Sequence, residues 1–351
     1  MKSILLFFAF IVLSISCLFS QDTEDTTLVV AENQEAELAY NNGIDHFNQK
    51  NYQAAISDFT EAISYKPDFA KAYFNRGSVY MELKDYDKAI SDFDAAIQND
   101  PELGLAYYNR GRAKHLKNDT KGALEDYELA AQKNVNEPKV HYYSGLIKFQ
   151  NGDYEGAIAS YSEAIKMDPK YAYAYNDRGS AKRKTEDYDG AIADYKQAIR
   201  LDPNMDFAYN NLGSVYRKLE KYDEAIDAYS QAIKLNPEYY IAYNNRGSAK
   251  CDKKDYKAAI DDFNKAIMIK EDYAYAHNNL GTARIKLKDY KGSIEHFNNA
   301  IKYNPNYGEA YLNRGIAYEE LREFDKACED WKKAEELGVK IATNYLMECK
   351  H

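Results

Sequence analysis

The order of small, aromatic and polar residues repeats every 34 positions from residue 36 to residue 341, with no insertion or deletion. When the repeats are aligned, glycine stands at position 8 of all nine and alanine at position 27 of all nine. Position 20 is alanine or serine, and position 24 is aromatic. The glycines are Gly43, Gly77, Gly111, Gly145, Gly179, Gly213, Gly247, Gly281 and Gly315. A fixed period of this length is typical of an array of stacked units.

Two helices are predicted in each repeat, and we name them helix A and helix B. The small residues at positions 8, 20 and 27 let the two helices approach closely, and aromatic residues at positions 17 and 24 fill the space between them. Aspartate at position 16 caps the start of helix B in six repeats, and proline at position 32 ends helix B in six repeats. The repeats span 36–69, 70–103, 104–137, 138–171, 172–205, 206–239, 240–273, 274–307 and 308–341.

This signature of small, aromatic and proline positions resembles the tetratricopeptide repeat (TPR), and the resemblance covers residues 36–341. It implies an all-α fold, an α-solenoid in which nine helical hairpins stack as a right-handed superhelix. Residues 342–351 match positions 1–10 of a further repeat, with Tyr345 at the aromatic position 4. They are predicted to form the single helix that caps the last repeat, as solenoid ends require.

Positions 7 and 23 of the repeat vary together. Arginine stands at position 7 in five repeats, and aspartate stands at position 23 in the same five. The pairs are Arg76 and Asp92, Arg110 and Asp126, Arg178 and Asp194, Arg246 and Asp262, and Arg314 and Asp330. We predict an ion pair between helix A and helix B in these repeats, with shared duplication history as the competing explanation. Such a pair contributes little to stability if it is exposed.

The N-terminus differs from the repeats. An apolar run over residues 4–13 is too short to span a bilayer comfortably, but it has the length of a signal-peptide core. We predict a signal peptide at residues 1–20. A free secreted chain, a lipid anchor at Cys17 and an uncleaved anchor are the alternatives, and all three place the repeats outside the cytosol, in the periplasm or the extracellular space. Residues 21–35 are polar and acidic and are predicted to be a flexible lead-in.

Charge and cysteine content add two constraints. The formal net charge is −10 in 351 residues, which argues against nucleic acid as a partner because phosphates require a basic surface. Cys251, Cys328 and Cys349 remain after the predicted cleavage, so the chain is not a disulfide scaffold. A bridge between Cys328 and Cys349 can form in an oxidising compartment, although isolated buried cysteines are the more common case.

The sequence contains no catalytic or cofactor-binding pattern. The six histidines have no metal spacing such as H-E-x-x-H, and there is no C-x-x-C. His141 and His277 stand at position 4, where most other repeats have tyrosine, and are interpreted as packing residues. Nine repeats without insertions leave no dedicated loop for an active site. We therefore expect no enzyme activity, no cofactor and no metal.

The TPR resemblance implies that helix A lines a concave groove, with positions 2, 5, 6, 9, 12 and 13 directed into it. Position 6 is asparagine in seven repeats, and an amide can pair with both the N–H and the C=O of a peptide. The row resembles the asparagine ladder of O-linked N-acetylglucosamine transferases. On an open groove these side chains would carry no packing function. We predict a peptide-binding role for Asn75, Asn109, Asn211, Asn245, Asn279 and Asn313; the alternative is that asparagine is only the consensus residue there.

Two further sets extend the predicted binding surface. Position 2 carries large side chains in the middle repeats, including Tyr173, Phe207 and Tyr275. Positions 12 and 13 are basic in two successive repeats, at Arg183, Lys184, Arg217 and Lys218. Their charge reverses further on, at Asp252 and at Glu319-Glu320. The expected ligand is an extended segment with an acidic residue near an aliphatic or aromatic one.

These features together predict a non-enzymatic scaffold that binds peptide segments or other proteins in the groove of a TPR superhelix. The alternative is a structural subunit of an envelope secretion or outer-membrane assembly complex. The predicted partners are proteins or peptides rather than nucleic acid, and the only membrane attachment considered is the lipid at Cys17.

The predicted export can be tested on the native protein. Removal of the apolar run should leave Gln21, or a lipidated Cys17, as the first residue. Mass spectrometry of the N-terminal peptide measures this directly. A cytosolic protein that retains Met1–Ser20 would contradict the prediction.

Overall fold

The computed structural model describes residues 23–347 and Cys349. The predicted signal peptide and the lipid-anchor residue Cys17 lie outside these residues. Within them the chain forms nineteen α-helices and no strand. None of the helices in this range is long and apolar enough to cross a membrane.

The helices follow one another as hairpins, with odd-numbered members as helix A and even-numbered members as helix B. Their bounds are α1 Thr23–Asn48, α2 Tyr52–Tyr65, α3 Ala70–Glu82, α4 Tyr86–Asn99, α5 Gly104–Leu116, α6 Thr120–Gln132, α7 Pro138–Gln150, α8 Tyr154–Met167, α9 Ala172–Lys184, α10 Tyr188–Leu201, α11 Asp206–Lys218, α12 Tyr222–Leu235, α13 Tyr240–Asp252, α14 Tyr256–Ile269, α15 Ala274–Lys286, α16 Tyr290–Tyr303, α17 Gly308–Glu320, α18 Phe324–Glu336 and α19 Ala342–Leu346. The predicted all-α class and the hairpin order are confirmed.

The contacts divide the chain into two compact units. The first ends at Asn151 and the second begins at Gly152, in the turn of the fourth repeat. The first unit therefore contains α1–α7, and the second contains α8–α19. Within each unit every helix packs against the next helix in the chain.

Helix A and helix B of a repeat meet where the glycine at position 8 faces the aromatic ring at position 24. A Cβ atom added to Gly43 would lie 2.7 Å from the ring of Phe59, and one added to Gly247 would lie 2.7 Å from the ring of Phe263. Both rings are buried. The alanines at positions 20 and 27 of these repeats are also buried. The missing side chain at position 8 is therefore what lets the ring fill the space between the helices.

The turn from helix A to helix B has a left-handed residue at the same position in all nine repeats. In the second repeat the N–H of Lys84 donates to the carbonyl of Met81 (3.0 Å), and the N–H of Asp85 donates to that of Tyr80 (2.9 Å). This pattern closes a helix with a left-handed residue, here at position 15. Position 15 has a positive φ throughout, at Lys50, Lys84, Asn118, Gly152, Glu186, Glu220, Lys254, Lys288 and Arg322.

Helix B begins directly after this left-handed residue. The carboxylate of Asp85 accepts a hydrogen bond from the N–H of Lys88 (3.4 Å), which satisfies a backbone donor in the first turn. The predicted aspartate caps are confirmed at Asp85, Asp119, Asp153, Asp187, Asp255 and Asp289. The two helices of a hairpin are thus joined by a short turn in which the left-handed residue is followed directly by the N-cap of helix B.

The predicted ion pair between positions 7 and 23 is confirmed in all five repeats. In the fifth repeat, Nε and Nη2 of Arg178 donate to the two carboxylate oxygens of Asp194 at 2.8 and 2.7 Å. The five aspartates are between 1% and 5% exposed, so the pairs are buried. Hydrogen bonding to Asp92 raises the pKa of Arg76. A bidentate, charge-assisted pair in a buried position is a strong contact, unlike an exposed one.

The same arginine also bonds to the preceding repeat, which the sequence analysis did not predict. Nη1 of Arg110 donates to Asp94 (2.7 Å), Nη1 of Arg178 donates to Ser162 (3.0 Å), and Nη1 of Arg246 donates to Ser230 (3.0 Å). These acceptors stand at position 25 of the repeat before. Each arginine therefore connects its own helix A, its own helix B and the previous helix B.

Two repeats of the second unit replace the ion pair with uncharged groups. The sixth repeat has Leu212 and Ala228, each 7% exposed, at positions 7 and 23. The eighth has Leu280 and His296 at these positions. Burial lowers the pKa of His296 to about 4, so its ring is neutral at pH 7. In the second unit, position 23 is therefore either an aspartate paired with arginine or an uncharged residue.

The two ends of the chain differ from the sequence-based expectation. Helix α1 begins at Thr23 and therefore includes residues 23–35, which the sequence predicted to be a flexible lead-in. This segment contains no proline or glycine, and a helix that has already nucleated in the first repeat extends through it readily. At the other end, α19 has only five residues, shorter than the predicted capping helix. Its Tyr345 lies against Trp331, with ring centroids 4.9 Å apart.

A disulfide joins Cys328 of α18 to Cys349, with Cα atoms 5.8 Å apart. The sequence allowed this bridge but favoured isolated thiols. The cap provides the reason, because the cluster around Trp331 that receives Tyr345 also holds Cys349 near α18. Cys251 is the remaining cysteine of the described residues and is not bridged, and burial raises the pKa of its thiol to about 11.

The buried ion pair predicts an asymmetric response to substitution. Asp194→Ala removes the carboxylate that Nε and Nη2 of Arg178 and the ammonium of Lys182 contact, and leaves Arg178 only its bond to Ser162. We expect a loss of about 3 kcal/mol in the free energy of unfolding, measured by urea denaturation.

The double variant Arg178→Leu with Asp194→Ala copies the natural pair of the sixth repeat and serves as the matched control. It should recover at least half of that loss, because the guanidinium that lost its acceptor is then absent and only the ammonium of Lys182 remains without this carboxylate. Strictly additive losses in the two single variants and the double variant would contradict the coupling.

Candidate functional site

The odd-numbered helices form a layer within each unit. In the second unit α9 contacts α11, α11 contacts α13, α13 contacts α15 and α15 contacts α17. In the first unit α1 contacts α3, and α3 contacts α5. We call the surface of this layer the helix A face. The groove predicted from the sequence corresponds to this face.

A ladder of amide hydrogen bonds connects successive helices of the layer from the fifth repeat to the ninth. In each step, Nδ2 of the asparagine at position 6 donates to Oδ1 of the asparagine at position 5 of the preceding repeat. The bonds run from Asn211 to Asn176 (3.1 Å), Asn245 to Asn210 (3.0 Å), Asn279 to Asn244 (2.9 Å) and Asn313 to Asn278 (3.0 Å). The four acceptors are buried. We call these eight residues the amide ladder.

The amide ladder corrects one expectation about the asparagine row. Asn211, Asn245, Asn279 and Asn313 were expected to carry no packing function, and this is wrong because each joins its repeat to the one before. Burial of the acceptor makes the bond necessary, since an unpaired buried amide oxygen is unfavourable. Their role in binding a peptide remains a prediction.

The two asparagines of the first unit have different partners. Nδ2 of Asn75 donates to the hydroxyl of Tyr40 in the preceding repeat (2.9 Å). Asn109 accepts a hydrogen bond from Arg112 of its own helix (3.2 Å). The regular ladder is therefore a feature of the second unit.

Aromatic side chains remain exposed near the start of helix A in the second unit. Tyr173 is 50% exposed and Tyr275 is 51% exposed. The ring of Tyr173 lies 5.9 Å from that of Phe207 in the next repeat, and the ring of Tyr275 lies 5.1 Å from that of Tyr307. Neighbouring exposed rings of this kind offer a large apolar contact area together with polar hydroxyl groups.

A cleft of about 630 Å³ opens near the C-terminal ends of α9, α11 and α13. It brings together the four basic residues predicted from the sequence with one member of the amide ladder: Arg183, Lys184, Arg217, Lys218 and Asn245. Tyrosines 188, 222 and 229, together with Ser214, Glu220 and Asp252, complete the lining. Four cations thus face two carboxylates, so the cleft is positive in a protein whose net charge is negative.

The predicted site residues fall into separate groups. Tyr173 and Phe207 share helices α9 and α11 with the basic residues, but they stand ten residues earlier, which corresponds to about 15 Å along a helix. Tyr275 lies on α15, after the repeats that form the cleft. Asn75 and Asn109 belong to the first unit. The structure therefore unites the basic cluster and leaves the other predicted contacts spread along the helix A face.

Comparison with known families identifies the repeat. Models of the tetratricopeptide repeat match residues 40–103, 207–239 and 308–337, and a model of the TPR repeat matches residues 145–186, 179–219, 247–287 and 281–321. Together these segments cover more than half of the chain. The chain belongs to the tetratricopeptide repeat family. No curated protein matches this TPR chain at a significant level.

Several solved structures share the TPR fold at low identity. A chain of the APC/C hetero-tetramer Cut9-Hcn1 is 16% identical, with a TM-score of 0.57 over 89% of this chain and 76% of that one. The C-terminal part of a TPR repeat-containing protein from Cytophaga hutchinsonii is 20% identical, with a TM-score of 0.56 over 68% and 98%. Pseudomonas aeruginosa pilF is 18% identical, with a TM-score of 0.53 over 60% and 97%. These likenesses show the fold alone.

Sequence reasoning missed the partners of the residues that it selected. It did not identify the position-5 asparagines as acceptors, and it noted Asp252 only as a reversal of charge. A signal was present, because position 6 of one TPR and position 5 of the preceding one are 35 residues apart. Paired asparagines at 210–211, 244–245 and 278–279 carry this register.

The amide ladder predicts that asparagines at the same repeat position differ in their contribution to stability. Asn245→Ala leaves the buried Oδ1 of Asn210 without its donor from the next repeat, and we expect a loss of about 1–2 kcal/mol in the free energy of unfolding. Asn109→Ala is the matched control, because Asn109 bonds within its own helix, and it should cost less than about 0.5 kcal/mol. Urea denaturation measures both, and equal losses would contradict the role of the ladder.

Proposed function

We propose that this TPR protein is a non-enzymatic scaffold that binds peptide segments or protein partners along the helix A face of its second unit. The observation that carries the proposal is the set of exposed aromatic side chains on this face, above all Tyr173 and Tyr275. Tyrosines in this situation are frequent anchors of protein interfaces, because a rigid ring buries much area at a small cost in conformational entropy.

The amide ladder supports this role through its effect on the scaffold. It fixes each helix A relative to the previous one, so the aromatic side chains are presented at a regular spacing along successive repeats. A preorganised surface loses less entropy when a partner binds. The asparagines thus contribute to binding by holding the face in place, in addition to any direct contact with a peptide.

The proposal includes export from the cytosol. Support comes from the apolar run at residues 4–13 and from the bridge between Cys328 and Cys349, because disulfides persist in oxidising compartments. A lipid at Cys17 remains one of the alternative forms of the exported chain.

Photocrosslinking in the native host tests the proposed binding face. A photoreactive residue at position 173 or 275 should capture partner proteins. The matched control is position 324, where Phe324 is 58% exposed but begins α18, a helix B. Capture from position 324 equal to that from positions 173 and 275 would contradict the proposal. Capture of a single stoichiometric partner would favour a structural subunit of an assembly complex, whereas many transient peptides would favour a general peptide-binding scaffold.

A further inference from the structure

Position 12 of one repeat and position 13 of the next meet across the junction between neighbouring A helices. At the junction of the sixth and seventh repeats, Nε of Arg217 donates to a carboxylate oxygen of Asp252 at 2.6 Å. The two residues are 35 positions apart, the same register that the amide ladder uses. This junction is therefore electrically balanced within the chain.

The preceding junction, between the fifth and sixth repeats, has the same register but carries an excess of positive charge. Arg183 at position 12 of the fifth repeat corresponds to Arg217, and Lys218 at position 13 of the sixth repeat corresponds to Asp252. Both line the cleft. Among the described residues Arg183 forms no ion pair, and its Nε is buried without a hydrogen-bond partner. Lys218 thus stands where the next junction has a carboxylate, and Nε of the neighbouring Arg183 is left without a hydrogen-bond partner.

We propose that Arg183 and Lys218 bind a carboxylate of an acidic peptide segment, and that Asp252 competes with a second carboxylate of the same segment for Arg217. The inference rests on the proposed function and names the ligand class of the same face. An arginine is suited to this contact, because its fork of N–H groups matches a carboxylate. The contact of Arg217 with Asp252 shows the geometry that a peptide carboxylate would adopt one repeat earlier.

The Arg217–Asp252 pair is able to exchange partners. The side chain of Arg217 is 40% exposed and that of Asp252 is 31% exposed, in contrast to the buried pairs at positions 7 and 23. An exposed pair contributes little energy, so a ligand carboxylate can displace Asp252 at low cost. Asp252 then opposes ligand binding in two ways. It repels the ligand carboxylate, and it occupies the N–H groups of Arg217 that this carboxylate would use.

The spacing of the helices suggests the pattern of the ligand. Packed helices are about 8–10 Å apart, and a chain in the polyproline II conformation advances about 9 Å in three residues, with every third side chain on the same side. Two acidic residues three positions apart would therefore reach Arg183 and Arg217 together. Tyr188 and Tyr222 are partly exposed in the same cleft and offer an apolar contact to a residue between the two carboxylates.

The test uses the full mature chain and a capped, fluorescein-labelled peptide Ser-Glu-Leu-Pro-Glu-Ser, with fluorescence anisotropy at low salt. Replacing Arg183 with glutamine should weaken binding about tenfold. The variant Lys218→Gln should weaken binding about threefold, and because this side chain is exposed the substitution should leave folding intact. Asp252→Asn should strengthen binding about threefold, because the competitor is removed. Asp223→Asn is the matched control, since Asp223 pairs with Lys253 outside the cleft, and it should change nothing.

The outcomes separate this inference from the proposed function. Equal binding of the same peptide with glutamine in place of both glutamates would overturn it, and so would unchanged affinity in the Lys218→Gln and Asp252→Asn variants. The inference would also be overturned if inorganic phosphate or anionic lipid vesicles bound more tightly than the peptide, with the same dependence on Arg183. The ligand would then be a different anion. In each of these cases crosslinking from position 173 would still capture protein partners if the scaffold function is correct.

Discussion

The contact between an aromatic ring and a glycine that has no side chain determines the geometry of this protein. In the first repeat the ring of Phe59 occupies the space that a Cβ of Gly43 would need. This contact sets how closely helix A and helix B approach. The buried bidentate ion pairs depend on that distance, because Arg178 and Asp194 stand on the two helices and bond at 2.7–2.8 Å. A wider hairpin would leave a buried carboxylate without its cation, which is strongly unfavourable.

Polar groups add directional connections to the apolar packing between repeats, in which the ring at position 24 contacts apolar residues of the next helix A. The arginine of the buried pair extends to the preceding helix B, and the amide ladder joins each helix A to the one before. Directional bonds of this kind fix the register between neighbouring repeats, whereas apolar packing alone is less specific about it. As a result the polar residues on the helix A face are largely committed to the structure. The exposed tyrosines and the excess positive charge of the cleft are the features that intramolecular bonding leaves available.

The ion pairs within a repeat were predicted from the sequence, and the hydrogen bonds between repeats were not. Position 7 and position 23 vary together inside one repeat, so the pairing of Arg178 with Asp194 was visible as covariation. The bond from Asn245 to Asn210 joins positions 6 and 5, which are both asparagine in three successive repeats, so covariation does not reveal the pairing and only the 35-residue register points to it. The helical start at Thr23 and the bridge between Cys328 and Cys349 could not be predicted for another reason. Residues 23–35 precede the first repeat, and no other repeat has cysteine at the positions of Cys328 and Cys349, so neither feature has a second copy for comparison.

The left-handed residue at position 15 shows that a structural constraint can be independent of residue identity. Lysine, asparagine, glycine, glutamate and arginine all occupy this position, yet φ is positive in every repeat. Residue conservation alone would therefore rank position 15 among the least constrained positions of the repeat. Its tolerance is nonetheless narrow, because β-branched residues and proline are incompatible with this torsion. Each turn is thus constrained by the residues that its backbone excludes, and it does not select one preferred residue.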